Sequence, residues 1–365
     1  MQQLLTAILR GDLVADRTLA ACDPDHLRAL AEDHGVLPLV ADRLARMSQV
    51  PPALAATFAA RARREAASDV VRHVELVRLI AGLAEAGLPA ILMKGAQLAY
   101  THYDRPDLRP RMDTDLVVSA AARPSAHQRL IDLGYEPVEQ MAADLVMYQA
   151  VYVKRRDDVR VHAVDLHWRL ANPQPFGMVL AYDELAAAAA PIARLGPAAR
   201  GLSNSHALLV ACIHPVAHHP HAVRLIWHYD VHLIASRFSA AEWEAFTALA
   251  IERQVSSVCR RSLELAIQSF TTPVPAGVLE RLSAPAGADD ATAAYLSPSR
   301  RQIHDAVWDF QALPTWTERL RLVRQHLFPP ATYMRDVYAP ASSAPLAFLY
   351  ARRALRGARR WLARA

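Results

Sequence analysis

Two aspartates stand one residue apart at the head of a short apolar run in the middle of the chain. Asp113 and Asp115 flank Thr114 and precede Leu116-Val117-Val118. Because successive side chains of a β-strand point to opposite faces of the sheet, a strand here places both carboxylates on one face. Hard divalent cations such as Mg2+ take oxygen ligands and are usually held by one or two carboxylates plus substrate phosphates. The pair therefore indicates a metal site for phosphoryl chemistry, against the alternative of two strand-end caps.

A strand, a turn and a helix precede the two aspartates. Residues 88–93 read as a short buried strand, Lys94 and Gly95 end it, and residues 96–103 follow a helical pattern. Glycine at such a turn lets a phosphate approach the backbone amides and the positive end of the helix dipole. We expect Lys94 to contact phosphate as a mobile point charge and Arg109 as a bidentate fork, unless each is a surface cation.

A later apolar run, residues 161–168, carries one more acid. On a strand, Asp165 and His167 share one face. Asp165 is therefore the candidate for a third carboxylate beside Asp113 and Asp115. His167 could orient that acid or a phosphate; the alternative is an ordinary histidine that is satisfied by a hydrogen bond.

In their order and spacing these segments resemble the uncharacterised nucleotidyltransferase family of the DNA polymerase beta-like superfamily, over about residues 85 to 240. The matching segments are Lys94-Gly95, Arg109-Pro110, Asp113-Thr114-Asp115-Leu116-Val117-Val118, Val164-Asp165-Leu166-His167-Trp168-Arg169, His214-Pro215-Val216-Ala217-His218 and Trp227-His228-Tyr229-Asp230. The chain departs from the family pattern at Met112, where glycine is common, and at Thr114, where an aliphatic residue is usual. It also has Ala96 where the superfamily more widely has serine, which removes a hydroxyl that could touch phosphate.

The resemblance implies an enzyme that moves a nucleoside monophosphate from a nucleoside triphosphate to an acceptor. It implies catalytic and metal-binding roles for Asp113, Asp115 and Asp165, with Mg2+ or Mn2+ as the cation and ATP as the favoured triphosphate. It implies nucleotide contacts for Lys94, Gly95, Arg109 and His167. Small molecules, a peptide or protein side chain and RNA are all compatible acceptors.

Apolar periodicity divides the chain into three regions, which together predict an α+β fold. Residues 1–86 indicate four or five helices, and residues 87–171 indicate the nucleotidyltransferase core. In that core we predict a small mixed sheet, polymerase beta-like by resemblance, with helices on one side, a helix over 124–133 ending at Gly134, and a hairpin with its turn at 155–158. Residues 172–365 indicate a C-terminal helical region that closes the second wall of a cleft.

Composition excludes several classes of protein. With 365 residues and 53% hydrophobic content the chain is not disordered, and it has no apolar stretch of the ~18 residues that a membrane span needs. No secretory signal opens the sequence, so we expect a cytoplasmic protein. Three widely separated cysteines, Cys22, Cys212 and Cys259, give neither a disulfide framework nor a Cys-x-x-Cys metal pair, and buried free thiols are expected.

The last helical segment is basic and amphipathic. Ala351, Leu355 and Leu362 fall on one helical face and arginines surround the other, with no acid after Asp336. We expect this helix to cover the core with its charges solvated. An acidic partner, an anionic membrane or a phosphate backbone is the alternative.

Two other functions remain open at this stage. The first is a nucleotide-binding or assembly protein whose catalysis has faded, which the missing hydroxyl at Ala96 favours and the intact acids oppose. The second is a zinc-dependent hydrolase built on His214 and His218, one helical turn apart. Pro215 stands where a zinc protease has its glutamate base, so the zinc hypothesis is the weaker.

Overall fold

The computed structural model describes residues 1–138, 144–219, 222–283, 290–338 and 344–362. Five helices fill residues 1–86, as the sequence predicts: α1 (Gln2–Arg10), α2 (Asp16–Ala20), α3 (Pro24–Asp33), α4 (Leu37–Ala45) and α5 (Pro52–Glu85). Strands and two helices follow: β1 (Ile91–Leu92), α6 (Lys94–Thr101), β2 (Thr114–Val117), α7 (Arg123–Asp132), β3 (Glu136–Pro137), β4 (Gln149–Arg156) and β5 (Val159–His167).

The remaining part is mostly helical. It contains α8 (Gln174–Gly177), α9 (Tyr182–Ala187), β6 (Ala190–Pro191), β7 (Arg200–Gly201), α10 (Asn204–His218), α11 (Leu225–Ala235), α12 (Ala240–Glu252), α13 (Ser256–Phe270), α14 (Ala276–Arg281), α15 (Gln302–Ala312), α16 (Trp316–Leu327), α17 (Ala331–Tyr338) and α18 (Leu346–Leu362). Short 3-10 helices lie at Pro106–Leu108, Ala193–Leu195 and Ala291–Leu296. The predicted α+β class with helical flanks is confirmed.

Within the described residues the strands form one seven-stranded mixed sheet in the order β3-β4-β5-β2-β1-β7-β6. β2 runs parallel to β5, and their register places Asp115 opposite Asp165 and Val117 opposite His167. β1 runs antiparallel to β2. The Met93 amide donates to the Asp115 carbonyl over 3.1 Å, which fixes the start of α6 beside the aspartate strand.

Apolar side chains cover both faces of the sheet. One core packs β-strand residues such as Leu116 and Val164 against α5, α6 and α7. On the opposite face, Met93 and Val117 join a larger core that includes the N-terminal helices and α10 to α13. Helices therefore lie on both sides of the sheet, not on one as predicted, because the C-terminal helices cover much of the second face.

Three local predictions need adjustment. β6 and β7 add strands to the sheet from the region predicted to be helical, because a strand of two residues leaves no alternating pattern in the sequence. β4 begins at Gln149, whereas the apolar run from Leu145 to Lys154 predicts an earlier start. The hairpin turn narrows to Asp157 and Asp158, whose φ angles of 50° and 62° are those of a tight two-residue turn.

The basic C-terminal helix α18 does not cover the core with the face that we predicted. Leu355 is 75% exposed and Phe348 is 58% exposed, whereas Leu349 is buried. Arg352 donates to the Tyr338 carbonyl and Arg353 to the His326 carbonyl, so arginine stems face the protein. The expectation is wrong for this face because arginines can satisfy backbone carbonyls, a contact that apolar periodicity does not report.

None of the helices in the described ranges combines the length and apolar character that crossing a bilayer requires.

Thr114, where the family usually has an aliphatic residue, belongs to a buried group of hydrogen-bonded polar side chains. Its Oγ1 lies 3.0 Å from His162 Nε2, and the Tyr135 hydroxyl lies 2.7 Å from His162 Nδ1. Burial lowers the pKa of His162 to about 4, so the ring is neutral near pH 7 and needs one donor and one acceptor. The hydroxyl of Thr114 is therefore the partner of a buried imidazole.

We predict that Thr114→Val, the aliphatic choice usual in the family, destabilises this protein by about 1 to 3 kcal/mol because it leaves a buried His162 nitrogen unpaired. Thr114→Ser keeps the hydroxyl and should lose much less. Urea denaturation of the two variants tests this, and equal stability of Val and Ser at this position would contradict it.

Candidate functional site

The acids predicted from the sequence meet on one face of the sheet. Ligand atoms of Asp115, Asp165 and His167 lie within 4.8 Å of one another, and in the described part of the chain this is the one group of its kind. The parallel pairing of β2 with β5 brings them together. Asp113 precedes β2, stays outside that close group and lines the same cavity.

Lys94 joins this group from the first turn of α6. Its Nζ donates to Asp115 Oδ1 over 2.5 Å and lies 3.4 Å from His167 Nε2. The side chains of Lys94 and Asp115 are 12% and 10% exposed. The backbone of Lys94 has φ 54°, in the left-handed region that non-glycine residues enter at a cost. The junction between β1 and α6 thus holds the lysine over the aspartate strand.

Burial and mutual repulsion raise the pKa values of two of the acids. Burial, then the charge of Asp115, raises the pKa of Asp113 to about 6. Burial, then Asp115 and Asp113, raises the pKa of Asp165 to about 7. For Asp115 burial acts in the same direction, but Lys94 and His167 outweigh it and hold its pKa well below the usual range. One lysine therefore compensates one carboxylate of the three.

His167 is buried and supports Asp115. Burial and the charge of Lys94 lower its pKa to about 4, so the ring is neutral near pH 7. Its Nε2 lies 3.0 Å from Asp115 Oδ1, the distance of an N–H that donates to a carboxylate. On the neighbouring acid, Gln149 Nε2 donates to Asp165 Oδ2 over 2.8 Å. Sequence analysis missed Gln149, although its position on β4 opposite His167 follows from the hairpin register.

Arg109 is fixed by an acid that lies far away in the sequence. Its Nε and Nη2 donate to Asp230 over distances of 2.7 to 3.1 Å, and its Nη1 donates to the Pro110 carbonyl over 2.6 Å. The Tyr103 hydroxyl also donates to Asp230 over 2.7 Å. Burial alone would lower the pKa of Arg109, but Asp230 raises it above its usual range. The Arg109 guanidinium, which we expected to bind phosphate, thus forms its paired hydrogen bonds with Asp230.

Gly95 provides room for that arginine. A Cβ on Gly95 would lie 3.2 Å from Cζ of Arg109, closer than nearly all carbon contacts. The Arg109 guanidinium therefore lies against Gly95 on the side where any other residue would carry its Cβ. Of the four predicted nucleotide contacts, Lys94, Gly95 and Arg109 line the cavity, whereas the buried His167 is not part of its lining.

A cavity of about 600 Å³ opens over the acids. Asp113, Asp115 and Asp165 line it at the sheet, and residues of α3, α4, α5, α10 and α11 line much of the rest. The N-terminal and C-terminal helical regions thus both contribute to one pocket. Sequence analysis predicted the C-terminal wall and missed Glu32, Arg61 and Glu65 of the N-terminal wall. In the sequence of those helices, apolar periodicity indicates a packed face but no contact with the acids.

The histidine-rich wall of the cavity does not form a metal site in the described residues. His214 and His218 have ring centroids 5.5 Å apart, and His219 stacks on Trp227 at 4.9 Å. Burial, then the charge of Lys94, lowers the pKa of His218 to about 3 and lowers that of His214. Within the described residues no third ligand lies with them, and His221 lies outside those residues. The structure thus adds no observation in favour of the zinc hypothesis.

Fold and site together define a protein in which a small mixed sheet presents clustered acids and a lysine to a cavity between two helical regions. The sequence profile described as "Uncharacterised nucleotidyltransferase" matches residues 20–271, and the chain belongs to that family. Comparison with curated proteins finds no match. The match begins in the N-terminal helices and ends at α13, so it includes both walls of the cavity.

We predict that Asp165→Asn stabilises the metal-free protein more at pH 8 than at pH 5. Because the folded-state pKa of Asp165 is raised to about 7, the folded state binds more protons than the unfolded state between about pH 4 and 7, and stability is lost as pH rises through that window. Asn removes this loss, which is on the order of 1 to 3 kcal/mol at pH 8.

Thermal melts in EDTA at both pH values test the prediction. Asp132→Asn, at an exposed carboxylate on α7, serves as the control and should follow the wild type. A stability difference for Asp165→Asn that is the same at pH 5 and pH 8 would contradict the assignment of a raised pKa.

Proposed function

We propose that this protein transfers a nucleoside monophosphate from a nucleoside triphosphate to a hydroxyl, amine or phosphate acceptor. The observation that carries the proposal is the convergence of Asp113, Asp115, Asp165 and Lys94 in one cavity of a nucleotidyltransferase-family chain. ATP is the first triphosphate to test, and the acceptor is a small molecule, a peptide or protein side chain, or RNA.

The acids suit Mg2+ or Mn2+. Carboxylate oxygens are the donors that these cations prefer, and Asp115 and Asp165 already lie within one close group. Burial, and then repulsion between the acids, raises the pKa values of Asp113 and Asp165, and a bound cation would favour their charged forms. Bound cations would neutralise the triphosphate and activate the attacking group. Asp113, Asp115 and Asp165 would hold them.

The remaining residues have separate roles in this proposal. Lys94 supplies a cation that can reach phosphate, and His167 orients Asp115 through its hydrogen bond. In the tautomer that donates from Nε2 to Asp115, His167 would act as a positioning residue for that carboxylate, while its ring nitrogen also lies within the close group of possible metal ligands. Arg109 lines the cavity in a fixed position that its ion pair with Asp230 sets.

We predict that Asp115→Asn and Asp165→Asn each lower nucleotidyl transfer by about a hundredfold or more, because each removes a ligand and a charge that the transition state requires. The assay incubates purified protein with each of the four ribonucleoside triphosphates, Mg2+ or Mn2+ and acceptor pools, and measures released pyrophosphate. Asp132→Asn is the matched control and should keep full activity.

Two outcomes of that assay would redirect the assignment. Full activity of Asp115→Asn would reject a catalytic role for the cluster. Triphosphate binding by the wild type without pyrophosphate release from any acceptor pool would favour the faded nucleotide-binding protein, which the absent hydroxyl at Ala96 and the occupied fork of Arg109 make the second candidate.

We further propose that α18 binds an acidic surface. Leu355 and Phe348 are exposed on a helix that carries Arg352, Arg353 and Arg356 and no acid. An exposed apolar face beside arginines is the arrangement of helices that lie on anionic lipid. This partner is independent of the reaction at the acids.

We predict that deleting residues 351–365 weakens co-sedimentation with anionic vesicles while the melting temperature stays nearly unchanged, since Ala351 and Leu355 on the predicted face are exposed. Neutral vesicles are the control, and RNA retention measured in parallel reports a nucleic-acid partner instead. A clear fall in melting temperature with unchanged vesicle binding would contradict this proposal and indicate that the helix covers the core.

A further inference from the structure

Lys94 already serves as the cation of the acidic cluster. Its Nζ donates to Asp115 Oδ1 over 2.5 Å and lies 3.4 Å from His167 Nε2, within the same close group that could receive a divalent ion. Both partners of the ion pair are nearly buried. The lysine and a metal ion therefore compete for the same carboxylate.

We propose that Lys94 is an exchangeable counter-ion, which neutralises Asp115 in the metal-free protein and gives up this contact when metal and nucleotide bind together. Its ammonium then moves from the carboxylate to a phosphate of the nucleotide. This inference rests on the proposed function and adds to it the reason why metal alone should bind poorly.

The charges of the site support an exchange rather than a simple addition. The other nearby guanidinium, that of Arg109, is already neutralised by Asp230. A divalent ion arriving at Asp115 would meet an ammonium at contact distance, where repulsion is strong in a buried site. The negative charge of a triphosphate gives the displaced ammonium a new partner, so metal and nucleotide should each strengthen the binding of the other.

The attachment of Lys94 permits this movement. Its ammonium is a point charge on a flexible stem and makes one strong contact, whereas Arg109 is fixed through three of its nitrogens. The backbone at Lys94 is held between β1 and α6, and the Met93 amide donates to the Asp115 carbonyl. The exchange therefore needs only a side-chain rotation.

The sequence provides a matched control, because Lys94 and Lys154 are its only two lysines. Lys154 is also paired with a buried acid, donating to Glu75 over 2.8 Å, but it does not line the cavity. A change that depends on the acidic cluster should appear at Lys94 and be absent at Lys154.

The first test measures binding of Mn2+ alone to the intact protein by the loss of its free-ion electron paramagnetic resonance signal. Lys94→Met should bind Mn2+ about tenfold or more tightly than wild type, and Lys154→Met should match the wild type. Adding a non-hydrolysable ATP analogue should raise the Mn2+ affinity of the wild type more than that of Lys94→Met. Equal Mn2+ affinity of wild type and Lys94→Met would overturn the exchange.

The second test measures the wild-type protein. Labelling with 13C at lysine Cε gives two lysine signals, and one folded variant, Lys94→Met or Lys154→Met, is enough to assign both. Mg2+ with the ATP analogue should shift the Lys94 signal and leave the Lys154 signal in place. An unmoved Lys94 signal on protein that binds both ligands would reject the exchange alone, whereas failure of the wild type to bind either ligand would reject the proposed function as well.

Discussion

The ion pair between Lys94 and Asp115 offsets the repulsion between carboxylates that the fold brings together. Parallel pairing of β2 with β5 places Asp115 beside Asp165, and Asp113, which immediately precedes β2, lines the same cavity. Like charges in a buried place raise each other's pKa values or require a cation. The start of α6 supplies one, since the β1 to α6 junction brings Lys94 to Asp115. The site is thus stable without metal yet remains short of positive charge.

A buried ion pair connects the C-terminal helices to the segment that carries the acids. Asp230 on α11 holds Arg109, which lies just before β2, and Tyr103 donates to the same carboxylate. Breaking one partner of such a pair leaves an uncompensated charge, so the pair fixes the distance between cavity floor and wall even where its net contribution to stability is small.

Sequence reasoning located most of the site because its signals are local. Alternation on a strand places Asp165 and His167 on one face, and a glycine predicts the end of α7 at Gly134, where φ is 82°. It could not give the partner of Arg109, which is 121 residues away, because helical periodicity reports a buried face and not what that face touches. For the same reason the sequence could not predict which face of α18 is exposed. Its pattern is amphipathic, but the pattern does not report which face contacts the rest of the protein.

The choice of cation at each position follows from how much freedom that position needs. Arginine cannot release its proton and binds a carboxylate through two parallel hydrogen bonds, which suits Arg109, a fixed brace between β2 and α11. Lysine makes a single flexible contact, which suits a charge that changes partners. The chain has 41 Lys and Arg residues, and only two of them are lysines. One of these two lysines, Lys94, contacts the acidic cluster. An arginine at position 94 would keep the charge but add a rigid fork opposite Asp115, so the cluster would be neutralised in a form that resists replacement by metal.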